Sequence, residues 1–185
     1  MPIEIEYKFV IKYEGDDIIK KIMKECDSHS ISKIKQVYLK GKGRVREYSY
    51  PYTKSGQPEK SFYEFNYKEQ LVDGGNFEIE KEISKDDYDI ALTVSTSSFV
   101  KNRLTFKTKS HKWEVDFFMN EHDNVYFVLM ECEVDDGIKP NIDELPEFIK
   151  NSIVYSVDLD DNDFTSKKLG NVEYAEDLYN KVLSI

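Results

Sequence analysis

Residues 3–10 read IEIEYKFV, and charged and apolar side chains alternate from Ile3 to Phe9. Because side chains two residues apart on a strand share a face, Glu4, Glu6 and Lys8 lie together on one side of a predicted strand. The opposite side is apolar. This segment therefore predicts a β-strand that buries one face and presents an ionic face on the other.

The same period of two recurs along most of the chain. The further strand-like segments are 37–40, 44–50, 62–68, 77–83, 100–107, 112–118 and 125–134. Helical spacing of apolar residues predicts helices over 16–26, 143–153 and 171–183, and a capping pattern at Ser84 predicts a fourth. Since about eight strands can close a small barrel, we predict an α+β fold: an eight-stranded antiparallel closed β-barrel with a charged interior and a few covering helices.

Charged side chains fall on one parity of seven of these strands. They are the carboxylates Glu4, Glu6, Glu78, Glu80, Glu82, Glu114, Asp116, Glu131 and Glu133, and the basic residues Lys8, Arg44, Arg46, Lys68, Lys101 and Arg103. For a single strand, such a face is typical of the solvated side of an antiparallel sheet. Seven almost purely ionic faces instead indicate a closed sheet whose charges line a tunnel and whose apolar faces point outward to the helices.

A closed barrel would place its first and last strands side by side. Glu4 and Glu6 would then meet Glu131 and Glu133 in one four-carboxylate patch. Oxygen-rich patches of this kind suit Mg²⁺ or Mn²⁺ and are poor sites for Zn²⁺. The Lys and Arg side chains would supply charge-assisted hydrogen bonds to phosphate oxygens. Together these groups are the components needed for phosphoryl chemistry on a polyphosphate.

The chain has 185 residues, with 36 acidic and 26 basic side chains and a formal net charge of -10. This length predicts a single domain, 1–185, with the charged strands in 3–135 and a helical C-terminal part in 141–185. The acidic surface argues against membranes and long nucleic acids as partners and favours a small charged substrate. Two cysteines and no signal-peptide pattern predict a cytoplasmic protein. We expect it to be a monomer or a homodimer.

Seven short motifs occur in an order that resembles the CYTH, or triphosphate tunnel metalloenzyme, superfamily. They are Glu4-Ile5-Glu6-Tyr7-Lys8, Arg44-Val45-Arg46, Lys68, Glu78-Ile79-Glu80-Lys81-Glu82, Lys101-Asn102-Arg103, Trp113-Glu114-Val115-Asp116 and Glu131-Cys132-Glu133. The first motif alone is a weak signal, whereas the ordered set over residues 3 to about 135 is specific. The resemblance implies an eight-stranded antiparallel tunnel that hydrolyses or cyclises triphosphates with a divalent metal.

The resemblance also implies a role for each charged side chain. Glu4, Glu6, Asp116, Glu131 and Glu133 would bind metal; Lys8, Arg44, Arg46, Lys68, Lys101 and Arg103 would hold phosphates; and Glu78, Glu80, Glu82 and Glu114 would position the attacking water or a second metal. The predicted activity is hydrolysis of the terminal phosphoanhydride of inorganic triphosphate, a nucleoside triphosphate or thiamine triphosphate. The alternatives are an adenylate cyclase, an RNA 5′-triphosphatase and a non-catalytic module that binds polyphosphate or nucleotide.

One segment departs from the family pattern. Many members carry Asp-x-Arg-Tyr-x-Asn-x-x-Leu after the metal-binding strands, whereas residues 160–169 read DDNDFTSKKL and Asp163 stands near the place of the arginine. Lys167 and Lys168 are the nearby basic residues. This departure bears on how one end of the tunnel is closed, and it leaves the other motifs intact.

Overall fold

The computed structural model describes residues 5–15, 17–26, 29–41, 43–49, 61–70, 76–134 and 139–184. Its strands are β1 Ile5–Ile11, β2 His29–Leu39, β3 Gly43–Ser49, β4 Phe62–Gln70, β5 Asn76–Glu82, β6 Ser95–Lys107, β7 Lys112–Met119, β8 Val125–Val134 and β9 Ile153–Val157. Its helices are α1 Asp17–Glu25, α2 Lys85–Leu92, α3 Glu147–Lys150, α4 Ser166–Leu169 and α5 Val172–Leu183, and a 3-10 turn covers Ile142–Glu144.

The strands form one antiparallel sheet in the order β5-β4-β3-β2-β6-β7-β8-β1-β9. The predicted antiparallel α+β fold is confirmed. The prediction of a closed eight-stranded barrel is wrong, because the sheet has nine strands and, among the described residues, ends in two edges, β5 and β9. The physical reason is β9, which pairs with β1 and occupies the edge at which β1 would have to close the barrel.

The sheet nevertheless curves until distant strands meet across its concave side. Nζ of Lys68 on β4 lies 2.5 Å from Oε1 of Glu6 on β1, although five strands separate β4 from β1 in the sheet. The right-handed twist of successive strands accumulates into curvature of this kind. Among the described residues, β4 and β1 are therefore joined across the concave side by an ion pair between side chains and not by backbone pairing.

The convex face of the sheet is apolar and carries two clusters: a small one of Val37, Val45 and Tyr88 of α2, and the main core over β1, β6, β7 and β8. The buried side chains of the main core include Phe9, Leu104, Phe106, Trp113, Val115, Met130 and Cys132, and Ile22 of α1 and Ile149 of α3 pack against them. Burying a side chain of this size stabilises a fold by about 1.5–3 kcal/mol. The apolar parity of the strands thus faces outward to α1 and α3, as predicted, and leaves the ionic parity on the concave side.

A second core covers one end of the concave face. It contains Val10, Phe99, Phe118, Phe127 and Leu129 from the sheet and Leu169, Ala175, Leu178 and Val182 from α4 and α5. A Cβ at Gly170 would clash with the ring of Phe99, so the corner between α4 and α5 needs a glycine to approach this closely. The C-terminal helices therefore close one end of the concave side.

Three of the four predicted helices are confirmed. Both α1 and α5 lie within their predicted ranges, and the Ser84 hydroxyl accepts a hydrogen bond from the backbone N–H of Asp87 at the start of α2. The prediction of one helix over 143–153 is wrong, because a short α3 follows Pro146 and the chain then enters β9. β-branched Ile153 and Val154 favour a strand where β1 offers an edge, so the part 141–185 is not wholly helical.

The described helices are all too short or too polar to cross a membrane.

Candidate functional site

The ionic part of the concave face encloses a cavity of about 1170 Å³. Among the described residues, its lining includes ten carboxylates and seven Lys or Arg side chains. The strands supply seven of these carboxylates and six of the basic side chains by alternation, because residues i and i+2 point into the cavity while their apolar neighbours join the convex core. The predicted charged interior therefore exists, within a curved open sheet.

Glu6 lies between two lysines on the cavity wall. Its carboxylate is 3.2 Å from Nζ of Lys8 and 2.5 Å from Nζ of Lys68. Lys68 also lies 3.4 Å from Glu78, which accepts a hydrogen bond of 3.1 Å from Arg44. Burial acts to raise the pKa of Glu6, but the charges of Lys68 and Lys8 outweigh burial and hold the pKa at about 2. This cluster joins β1, β3, β4 and β5.

Arg103 is the centre of a second cluster, on β6, β7 and β8. Its guanidinium donates two hydrogen bonds of 2.7 Å to the carboxylate of Asp116, donates another to Glu114, and lies 3.5 Å from Glu131. Asp116 is fully buried and also accepts a 2.5 Å hydrogen bond from Lys101. Such bidentate, charge-assisted bonding fixes the direction of a guanidinium. Asp116 therefore orients Arg103 toward the cavity, and Lys101 in turn bonds Asp116.

The titration behaviour of Lys101 and Asp116 follows from their burial together. Burial, and then the charge of Arg103, lowers the pKa of Lys101 to about 8. Burial opposes ionisation of Asp116, but Arg103 and Lys101 hold its pKa well below the usual range. Asp116 is thus a carboxylate that stays ionised because two cations surround it.

Arg46 occupies a third part of the wall. Its guanidinium donates hydrogen bonds of 3.0 Å to Gln36 and 3.1 Å to Glu64, and it lies 3.4 Å from Glu80. Burial raises the pKa of Glu64, and the charge of Arg46 only partly offsets it. Arg46 is therefore held in place by three strands, with its charge shared between two carboxylates.

The carboxylates of β1 and β8 decide whether a divalent metal fits. Glu6 lies opposite Glu133, and Lys8 opposite Glu131, so the predicted adjacency of these two strands is present. Burial, and then the charge of Glu6, raises the pKa values of Glu131 and Glu133. A divalent cation relieves repulsion of this kind, and carboxylate oxygens are the donors that Mg²⁺ and Mn²⁺ prefer. The donor chemistry therefore fits the predicted metal.

The geometry of the described side chains is less complete. Within the ranges that the structure describes, no three His, Cys, Asp or Glu side chains converge to hold a metal ion. Glu6 contacts Lys8 and Lys68 instead. Glu4, predicted as a ligand, lies outside the described residues. A bound cation would have to compete with the two lysines for Glu6.

Most of the predicted site residues line the cavity. These are Glu6, Lys8, Arg44, Arg46, Lys68, Glu78, Glu80, Arg103, Glu114, Glu131 and Glu133. Lys101 and Asp116 are buried behind the lining and reach it through Arg103. Glu82 is exposed and lies apart from the lining. The roles assigned to these residues stay predictions.

Further polar residues of the site are absent from the predicted set. Asn66 is buried opposite Arg44 and donates hydrogen bonds to Glu78 and Glu80, and Glu64 accepts a hydrogen bond from Arg46. Both share the strand face of Lys68, so extending the period of two backward from that residue identifies them.

The C-terminal contribution to the cavity has no comparable signal in the sequence. Residues 158–162 and 165–167 line it, although an acidic, polar segment of this kind is typical of a solvated loop. Lys167 lies over the ring of Tyr38, 5.6 Å from its centroid, whereas Lys168 bonds Asp163 at 2.6 Å. Of the two lysines near the altered motif, Lys167 therefore faces the cavity.

The chain is similar in fold to solved structures, but sequence comparison matches it to no known family or curated protein. A chain of the Schizosaccharomyces pombe Mediator head module superposes with a TM-score of 0.50 at 6% identity, over 80% of this chain and 90% of that chain. A Bacillus halodurans protein provisionally named an adenylate cyclase superposes with a TM-score of 0.50 at 12% identity, over 72% of this chain and 81% of that one.

A third solved structure is less similar. It is a Hippeastrum protein described as having a dominant triphosphatase activity, with a TM-score of 0.43 and 12% identity over 71% of this chain and 80% of that one. The chain has a CYTH-type fold, as its ordered motifs predict. At these identities the likeness concerns the fold, and the chemistry has to be inferred from the cavity.

Proposed function

We propose that the protein is a divalent-metal-dependent triphosphatase, which hydrolyses the terminal phosphoanhydride of a small triphosphate. Inorganic triphosphate, a nucleoside triphosphate and thiamine triphosphate are the candidate substrates. The observation that carries the proposal is the cavity, where basic side chains and carboxylates share one enclosed wall. Basic groups bind phosphate oxygens, whereas so many carboxylates would only weaken anion binding unless cations join them. The combination favours metal-assisted phosphoryl transfer.

The phosphates would be bound by Lys8, Arg44, Arg46, Lys68 and Arg103, which all line the cavity. All five are already paired with carboxylates. A triphosphate that enters the cavity therefore exchanges one set of ion pairs for another and releases buried carboxylates. Unpaired buried carboxylates are costly, so the exchange is favoured when a divalent cation compensates them. The ion pairs of the cavity therefore favour a metal-dependent reaction.

Water would attack the terminal phosphorus in line with the bridging oxygen, and the bond from that phosphorus to the bridging oxygen would break. Lys and Arg side chains stabilise the charge that develops on the phosphate oxygens and on the leaving group. Glu78, Glu80 and Glu114 line the cavity and are the candidates for orienting the water. Asp116 acts indirectly, because it holds Arg103 in position.

Glu6, Glu131 and Glu133, with Glu4, are the residues that would hold the metal. When bound, a divalent cation supplies Lewis-acid neutralisation of phosphate oxygens.

Phosphate release from inorganic triphosphate, ATP and thiamine triphosphate, with and without Mg²⁺ or Mn²⁺, tests the proposal. Wild type is expected to turn over at least one substrate only with metal. Glu131→Gln is expected to lower kcat roughly 100-fold or more, because it removes a charge from the reacting site. The matched control is Glu121→Gln, at an exposed turn outside the cavity, which is expected to leave kcat unchanged.

Each contrary result has a definite meaning. Absence of metal-dependent turnover for every substrate contradicts the enzymatic proposal. Unchanged turnover in Glu131→Gln contradicts the proposed metal ligands. Cyclic AMP and pyrophosphate formed from ATP would identify a cyclase, the activity in the name of the Bacillus halodurans protein.

A second candidate function is a non-catalytic module that binds a polyphosphate or nucleotide on behalf of a partner protein. Two observations favour it: the similar fold of a chain in the Mediator head module, and the pairing of Glu6, Glu78 and Asp116 with Lys or Arg. Such a module would bind a triphosphate without turnover. Measuring binding and phosphate release on the same sample separates the two functions.

A further inference from the structure

Two aromatic side chains continue the charged wall of the cavity. On β3, Tyr48 follows Arg44 and Arg46 on the same strand face, and on β4, Phe62 precedes Glu64 on the same face. The register places Tyr48 directly opposite Phe62. Both rings line the cavity that holds the charged residues.

The two rings form a fixed pair. Their centroids are 5.3 Å apart with an interplanar angle of 44°, and both side chains are half-buried. The Tyr48 hydroxyl accepts a hydrogen bond of 3.1 Å from Arg46 and donates one of 3.3 Å to Glu64. These bonds turn the hydroxyl toward the charged wall and hold the ring in one orientation. Tyr48 and Phe62 therefore provide a preorganised apolar surface inside an ionic cavity.

A third aromatic residue of the lining, Tyr38, already has other side chains packed against its ring. Nζ of Lys167 lies over its ring at 5.6 Å, and the ring of Phe99 packs 6.3 Å away. Its hydroxyl accepts a hydrogen bond from Gln36. Tyr38 also packs against the core that α4 and α5 cover. Tyr48 and Phe62 are thus better placed than Tyr38 to receive the ring of a ligand.

We propose that Tyr48 and Phe62 bind a flat aromatic ring carried by the triphosphate, so that the substrate is an organic triphosphate. This inference rests on the proposed function of the charged wall. Residues two apart on a strand lie roughly 7 Å from one another, so the aromatic pair begins one such step beyond Arg46. A heterocycle joined to its phosphates through a sugar or a short linker spans that step. Inorganic triphosphate has no group to place there.

The remaining lining provides for the polar edge of such a ring. Ser30 and Ser32 on β2 and Thr105 on β6 line the same cavity. Hydroxyl groups both donate and accept hydrogen bonds, so they can meet the nitrogen and carbonyl groups of a heterocycle. A nucleobase and the pyrimidine of thiamine share this chemistry, and titration with each distinguishes them.

Isothermal titration calorimetry with Mg²⁺ tests the inference without requiring turnover. The probes are the β,γ-imido analogues of ATP and of thiamine triphosphate and, as the ring-free probe, inorganic imidotriphosphate. Stacking of a base on an aromatic side chain accounts for roughly a five- to hundredfold change in Kd. Phe62→Leu keeps the bulk of the side chain, and it is expected to weaken at least one organic probe by that factor while changing imidotriphosphate about twofold or less. Phe62→Tyr keeps a ring and is expected to retain the affinity.

Phe77→Leu is the matched control. Phe77 on β5 also packs edge to face on a tyrosine, Tyr67, at 6.4 Å, but it lies outside the cavity lining. The same substitution there is expected to change no Kd. Thermal unfolding confirms that each variant is folded before it is titrated.

The outcomes separate this inference from the proposed function. Equal weakening of organic and inorganic probes by Phe62→Leu, or no weakening of any, overturns the ring-binding role. Binding of imidotriphosphate to wild type without tighter binding of either organic probe also overturns it, and leaves the proposed triphosphate site standing. Failure of all three probes to bind wild type contradicts the proposed site itself.

Discussion

The concave face of the sheet has two halves that the same strands build. In the ionic half, Glu6, Lys8, Arg103, Glu114 and Glu131 surround the cavity; in the apolar half, Val10, Phe99, Phe118, Phe127 and Leu129 pack under α4 and α5. On β8, for example, Glu133, Glu131, Leu129 and Phe127 share one face and pass from one half to the other. Alternation thus decides which face a side chain joins. The part of the concave face that α4 and α5 cover joins the core, and the remaining part lines the cavity.

Lys101 and Asp116 lie at the boundary between the two halves. Nζ of Lys101 is 2.5 Å from the carboxylate of Asp116 and 5.6 Å from the centroid of the Phe118 ring. Arg103 connects this buried pair to the cavity. Charged side chains are therefore buried at this boundary. A substitution there is expected to lower the free energy of unfolding more than one elsewhere on the concave face.

The largest effect is expected from Asp116→Ala. The substitution leaves Lys101 and Arg103 without their shared buried carboxylate, and breaking a buried ion pair in this way costs about 3–5 kcal/mol. Urea denaturation measures this free energy of unfolding. The control is Asp89→Ala, which removes the exposed ion pair with Lys85 and is expected to change stability little. Similar losses in the two variants would contradict the distinction between boundary and surface charge.

A smaller loss is expected in the apolar half. Leu178 of α5 is 9% exposed and packs in the concave core, so Leu178→Ala is expected to cost about 2 kcal/mol, the lower end of the range for buried leucine. The matched control is Leu183→Ala on the same helix, where the side chain is 50% exposed. Urea denaturation of both variants measures the difference. Equal stability would show that α5 does not hold the apolar half together.

The sequence predicts the charged face well because alternation within each strand shows which side chains share a face. Glu6, Lys8, Arg103 and Glu131 reach the cavity as their spacing indicates. The period of two also separates the convex core from the site. Residues such as Glu64 remain within reach of the same pattern once it is extended along β4.

The remaining features depend on contacts between distant parts of the chain. Because β9 pairs with the edge of β1, the sheet cannot close there through backbone hydrogen bonds. The sequence of residues 3–10 contains no pattern that predicts this pairing. Likewise, the burial of Asp116 beside Arg103 depends on α4 and α5, which cover the neighbouring aromatic rings. Local periodicity carries no information on which distant helix covers a strand.

The smallest change in stability is expected in the ionic half, and it depends on pH. Lys68 and Lys8 hold the pKa of Glu6 at about 2, below its ordinary value of 4.5. Glu6 therefore stabilises the fold above pH 4.5, and that contribution is lost as the pH falls from 4.5 to about 2. Glu6→Gln is expected to lower stability at pH 7 by about 1–2 kcal/mol, less than a full linkage calculation gives, because Glu6 also repels neighbouring carboxylates.

Urea denaturation of wild type and Glu6→Gln at pH 7 and near pH 2 checks this window. The difference between the two proteins is expected to disappear at the lower pH. A difference that persists unchanged would show that the carboxylate charge is not what Lys8 and Lys68 recognise.

The most direct test of the division between the two halves is one assay on two variants. Metal-dependent phosphate release is measured for Glu131→Gln and Leu178→Ala at a temperature where both are folded. The division predicts that Glu131→Gln loses activity while remaining folded, and that Leu178→Ala keeps wild-type kcat despite its lower stability. Retained activity in Glu131→Gln, together with lost activity in folded Leu178→Ala, would place the chemistry outside the ionic half and contradict the proposed site.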